Sequence, residues 1–146
     1  MESEFGTAPL DIVPHCFALP GNHDWYDSLV SFSRVFCSRP RFAGWITPQR
    51  RSYFALKLPR GWWLVGSDIQ LASDIDAQQA EFFKKVAREM GENDRIIGCV
   101  AEPHWIYRQM YGLERVEETN LALLEKLLQK RIAVYVAGDL HHYRRH

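Results

Sequence analysis

The sequence predicts a mixed α/β domain, on three observations. Apolar segments of strand and helix type alternate along the chain in the order strand, helix, hairpin, helix, strand, helix, strand, which argues for helices packed on a sheet. Polar residues cluster directly after three of the strand segments, following Leu19, Val100 and Ala137, and loops at the carboxyl ends of strands are where open α/β sheets place their sites. The 146 residues are 47% hydrophobic and 25% charged, which suits one soluble domain or a large piece of one.

Residues 1–14 carry Gly, Pro and charge and read as an irregular lead-in, followed by one folded unit over 15–146. The short apolar run 15–19, closed by Pro20 and Gly21, reads as a buried strand ending in a turn. Leu29, Phe32, Val35 and Phe36 then share a helical face that ends before the 37–40 loop. Phe54, Leu56 and Leu58 alternate with Ala55 and Lys57, the period of a half-buried strand. Pro59, Arg60 and Gly61 make a turn, and 62–66 returns as the partner of a hairpin. Asp76 is placed to cap a helix through about Met90, with Phe82, Phe83, Val86 and Met90 inside and Gly91 as its stop. Residues 96–100 form a strand. Residues 117–130 form a helix with Leu121, Leu124 and Leu128 on one stripe, and 132–137 form a buried strand ending at Gly138.

Eighteen basic and eighteen acidic residues cancel, so no nucleic-acid or membrane-binding surface is indicated. Low net charge predicts poor colloidal stability near neutral pH. Cys16, Cys37 and Cys99 are odd in number and widely spaced, which argues against a disulfide framework or a structural zinc site and for a reduced, cytoplasmic setting. No signal-peptide pattern follows Met1, and no apolar stretch approaches the length of a membrane span.

Chemistry concentrates in three places. Gly21-Asn22-His23-Asp24 follows the first apolar run directly. Asparagine offers a neutral oxygen ligand for a hard or borderline divalent metal, histidine a proton near neutral pH, and aspartate a charge that can hold an imidazole tautomer. The same residue types also make ordinary turns. Asp139 and His141 lie two apart with an apolar residue between them; in extended backbone this sends both side chains to one side, as metal ligands require. A solvated His-rich tail is the alternative. After Val100, Glu102 or His104 is a third candidate ligand, and a surface carboxylate with a histidine packed on Trp105 is the bland equivalent.

Gly-Asn-His-Asp followed at a distance by Gly138 and His141 resembles the calcineurin-like metallophosphoesterase superfamily, whose blocks run Asp-x-His, Gly-Asp-x-x-Asp, Gly-Asn-His-Asp/Glu, a lone His and Gly-His-x-His. The third block matches without change. In the last block, Tyr143 and Arg145 also stand where Tyr-x-Arg often follows. The stretch from Pro20 to Asp27, with that from Gln49 to Phe54 and the pair Trp62-Trp63, looks like one large-loop branch of the family, and the likeness runs from about His15 to His146.

The resemblance implies part of a sandwich of two mixed β-sheets flanked by helices, truncated at the N-terminus because the first two blocks do not precede Gly21. It implies a phosphate-ester substrate and two divalent metal ions (Mn, Fe, Zn or Mg), roughly 3.5–4 Å apart, bridged by an attacking hydroxide. Asn22 and Asp139 would bind the second metal and His141 the first. His23, oriented by Asp24, would stabilise the phosphoryl oxygens or protonate the leaving group. Arg145 would meet a phosphate, or is a solvated surface charge; Trp25, Tyr26 and Trp45 would wall the pocket or pack in the core.

Two departures affect the ligands. The His usually found two residues before a Pro is Ala101, so Glu102 or His104 replaces it or the ligand is lost. Asp139 stands for the first His of the last block, favouring a harder metal. With half the ligands missing, activity is expected to be impaired; the competing function is a non-catalytic remnant or binding module with the same half-fold. Loss of the opening strands is expected to leave an unpaired sheet edge and an apolar face open to self-association.

Overall fold

The computed structural model describes residues 13–69, 74–110 and 119–138. The described residues form an α/β unit: a four-stranded mixed sheet, a two-stranded sheet and helices. In chain order, a 3-10 turn spans Asn22–Asp27, α1 spans Val30–Phe32 and runs into a π-helical turn, Ser33–Cys37. A small antiparallel pair follows, β1 (Arg41–Phe42) and β2 (Trp45–Ile46). Then come β3 (Phe54–Leu58), β4 (Trp62–Ser67), α2 (Ala77–Glu89), β5 (Arg95–Val100), α3 (His104–Met110), α4 (Asn120–Leu128) and β6 (Ile132–Ala137).

The strand order β3-β4-β5-β6 follows from connection length. β3 and β4 are antiparallel across the Pro59–Gly61 turn, where Arg60 and Gly61 both take positive φ. α2 carries the chain back so that β5 runs parallel to β4, and α4 does the same for β6, as helical crossovers do. α2 starts where Asp76 accepts the Gln79 N–H at 2.7 Å, and Phe83 and Val86 face inward. α4 is capped twice. Thr119 accepts from Ala122, and Asp74 accepts from the Leu121 and Asn120 N–H groups at 2.8 and 3.2 Å, which satisfies donors a helix start leaves open.

One face of the sheet carries Trp63, Val65, Ile96, Val100, Tyr135 and Ala137, and packs with α2 and α4 around Phe83, Val86, Leu121, Leu124 and Leu128. The edge of the Tyr135 ring packs against Gly98, where an added Cβ would sit 2.6 Å from two ring carbons; only glycine leaves room there.

Three expectations change. Residues 15–19 do not make a buried strand: only His15 bridges, to Ile46, and 16–20 belong to no strand. The backbone of Ala18 is instead held by a side chain. Its N–H donates to Gln49 Oε1 at 2.6 Å and its carbonyl accepts from Gln49 Nε2 at 3.0 Å, with Gln49 itself buried. A primary amide mimics a peptide group, so a strand neighbour is not needed to satisfy these two groups. β6 forms where expected but is not buried; Val134 and Val136 are 47% and 54% exposed. Its apolar residues alternate between the covered face and an opposite face, shared with Leu64, Ile97 and Cys99, on which neither α2 nor α4 lies. Finally, the helix expected over 29–36 begins after Leu29, itself at φ +63°, and widens to a π turn beyond Phe32. The expected helix over 117–130 is seen as Asn120–Leu128, and residues 117 and 118 lie outside the described residues.

Candidate functional site

β4, β5 and β6 are parallel, so their carboxyl ends share one edge of the molecule: Ser67 pairs with Val100 and Val100 with Ala137. The loops leaving those ends carry Asp68, Glu102 and His104, and Gly138. The last two loops are joined directly, Gly138 N–H donating to Ala101 O at 3.2 Å. That bond ties the residue before Asp139 to the residue before Glu102. Asp139, His141 and Arg145 lie outside the described residues.

The Asn22–Asp27 turn reaches the same edge through Trp25, whose indole Nε1–H donates to Asp68 Oδ1 at 3.1 Å. Asp68 is 2% exposed. Its backbone is gripped by a second buried amide: Gln79 Oε1 accepts from Asp68 N–H at 2.8 Å and Gln79 Nε2 donates to Asp68 O at 2.9 Å. Burial pushes the Asp68 carboxyl above the usual carboxylate range. Hydrogen bonding with the Ser52 side chain and Trp25 works against that, and the negative charges of Asp76 and Asp24 add to it.

Within the turn, Asp24 Oδ2 accepts the Gly21 N–H at 2.8 Å and Asn22 Oδ1 accepts the His23 N–H at 2.9 Å. The turn caps itself. His23 is exposed and its ring stacks on Tyr26, centroids 5.0 Å apart at 24°. Among the described residues Asp24 makes no hydrogen bond to that ring, so the expected Asp24–His23 orientation is replaced by the Tyr26 stack. Adjacent residues of a helical turn point their side chains apart, which leaves Asp24 to the backbone. Trp25 is half-buried, whereas Tyr26 and Trp45 are 75% and 47% exposed.

His104 is 3% exposed and faces away from solvent. Its Nε2 lies 2.5 Å from Glu125 Oε1 on α4, and its ring stands edge-on to Trp105 and Tyr135. Nδ1 is buried with no hydrogen-bond partner among the described residues. A histidine with one nitrogen on a carboxylate and the other open is the arrangement of a backed metal ligand. Glu102 is half-buried at the start of the same loop. No group of three His, Cys, Asp or Glu side chains among the described residues is placed to hold a metal ion. Among the described residues, no helix is long and apolar enough to cross a membrane.

Sequence reasoning missed Asp68, Gln79 and Glu125. The signal for Asp68 was present: it follows the apolar strand at 62–67 as the other polar clusters follow theirs. Comparison with family models, curated proteins and solved structures finds no match to this chain.

Proposed function

We propose that the chain carries the site of a metal-dependent phosphate-ester hydrolase of the calcineurin-like metallophosphoesterase kind. The observation that supports this most is convergence. The Asn22-His23-Asp24 turn, tied down by the Trp25–Asp68 bond, reaches the edge where the Ala101–Gly138 bond joins the other two candidate loops.

Two divalent ions, when bound, would supply the activated hydroxide and neutralise charge on the phosphoryl group. Asn22 would give a neutral oxygen by swinging Oδ1 from the His23 N–H. His104 Nδ1 or Glu102, with Asp139 and His141, would be the further donors this chain offers. His23, exposed on its Tyr26 support, is free to meet a substrate oxygen and hand a proton to the leaving group. Arg145 would pair with a phosphate oxygen.

Elemental analysis after dialysis against trace Mn²⁺ and Zn²⁺, with p-nitrophenyl phosphate and bis(p-nitrophenyl) phosphate as substrates, tests the reading. Asn22→Ala should lose bound metal, and turnover should drop by about 100-fold or more. His23→Ala should keep the metal and lose turnover. A wild-type chain that takes up no divalent ion and cleaves neither ester would end this reading.

A second reading, a non-catalytic module that associates through its sheet, is favoured by the exposed Val134 and Val136 and by β6 itself, the last strand of the sheet among the described residues, which carries no charge and no proline to discourage pairing. On that reading, wild type sediments as a dimer or larger species at tens of micromolar, and Val134→Lys with Val136→Lys returns it to monomer. A wild type that is monomeric throughout that range would exclude it.

A further inference from the structure

We propose that Asp68 is the positioning residue for the Asn22-His23-Asp24 turn, acting through the indole of Trp25. Taking a carboxylate out of water is costly unless something specific is gained, and Asp68 is 2% exposed with two further carboxylates, Asp24 and Asp76, in its surroundings. An apolar side chain at the end of β4 would pack at lower cost. An acceptor there hydrogen-bonds with the Ser52 side chain and takes the Trp25 Nε1–H, and of the two the Trp25 bond is the one that reaches the turn, across 43 residues of sequence.

Rigidity is supplied from behind. Gln79, 1% exposed, bonds both backbone groups of Asp68, and its own N–H is held by Asp76 at the start of α2. The acceptor is therefore fixed to a helix and a strand, the elements that hold a site most firmly. On the other side, the turn is tied together internally. Asp24 O accepts from Leu29 and Trp25 O from Ser28, and Asp24 Oδ2 closes on Gly21. Fixing Trp25 thus fixes Asn22 and His23 over the carboxyl ends of the parallel strands. What the positioned turn then does rests on the hydrolase reading; the positioning does not.

The test is an NMR measurement on the full chain with ¹⁵N-labelled tryptophan indoles, histidine rings and asparagine side-chain amides, five indoles in all, Trp25 being assigned by Trp25→Phe. In Asp68→Ala the Trp25 Nε1–H should move and exchange with water about tenfold faster or more, as expected for loss of a hydrogen bond to a charged acceptor. The His23 ring and the Asn22 side-chain amide should shift with it, and the other four indoles should not. Asp68→Asn keeps an oxygen acceptor at Oδ1 and should restore the wild-type positions. Trp25→Phe should displace the His23 signal in the same way as Asp68→Ala. The inference is overturned if Asp68→Ala leaves His23 and Asn22 unmoved, if all five indoles shift together, or if Asp68→Asn fails to restore them. Failure of metal uptake in the wild type would sink the hydrolase reading and leave these outcomes standing.

Discussion

Phe83→Ala should lower the unfolding free energy by about 3–5 kcal/mol, the range for deleting a buried aromatic ring. Phe83 is 1% exposed on the inner face of α2, with the rings of Phe82 and Tyr53 at 5.2 and 5.9 Å and the covered face of the sheet beneath. The surrounding groups come from two layers and cannot collapse far into the gap, so transfer and cavity costs add. Against a total stability of roughly 5–15 kcal/mol for an ordinary domain, that is a large share. At about 2–4 °C per kcal/mol for chains near this length, the midpoint should fall by about 6–20 °C. Phe82→Ala, at a half-buried neighbour, should cost visibly less. Thermal melts followed by circular dichroism decide it: equal melting of the two variants, or a Phe83→Ala midpoint within a degree or two of wild type, would contradict this core.

Phe83 also illustrates what the sequence makes legible. α2 is written locally, with a capping aspartate at Asp76 and apolar residues spaced to one face, and the structure places its first turn there. The β3–β4 hairpin is likewise local, since Pro59 and Gly61 sit between two apolar runs. Burial of β6 was not legible. An unbroken apolar run looks the same whether one face or both are covered, and which face α4 covers is decided by the crossover. The strand expected at 15–19 failed for a related reason: the partner of the Ala18 backbone is the side chain of Gln49, 31 residues away, and no local pattern announces that.

The site divides in the same way. Asn22, His23 and Asp24 are legible as a run of three chemical tools on one turn. The residues that hold the turn are not: Asp68 is one of eighteen acidic residues, and its meaning comes from Trp25 and Gln79, which meet it only in the folded chain. Glu125 reads as the solvated face of an amphipathic helix, yet it receives both His104 and the Tyr135 hydroxyl.

His104→Ala should cost about 2–4 kcal/mol, the second largest effect expected. The ring is 3% exposed and is one member of a cluster in which Trp105 and Tyr135 stack at 5.0 Å and 19° and His104 stands edge-on to both. Its loss opens space beside a cavity of about 20 Å³ under α4, lined in part by Glu125 and Tyr135, and takes away the nitrogen 2.5 Å from Glu125 Oε1. Leaving a buried hydrogen-bonding group without its partner costs about 1–3 kcal/mol, and the lost ring contacts add to that. The Glu125 side chain retains 22% exposure and can recover some hydration, which sets the lower end of the range. A cycle of His104→Ala, Glu125→Ala and the double variant should give a coupling of about 1–3 kcal/mol, as for neighbours in one network. Coupling near zero would mean the pair is a contact without energetic weight. The same histidine also separates the two candidate ligands of its loop, because a metal that binds only the folded chain raises its melting temperature. A rise with Mn²⁺ or Zn²⁺ in wild type that disappears in His104→Gln and persists in Glu102→Gln assigns the ligand to His104 Nδ1. The reverse pattern assigns it to Glu102 and leaves His104 as the post that braces the loop against α4.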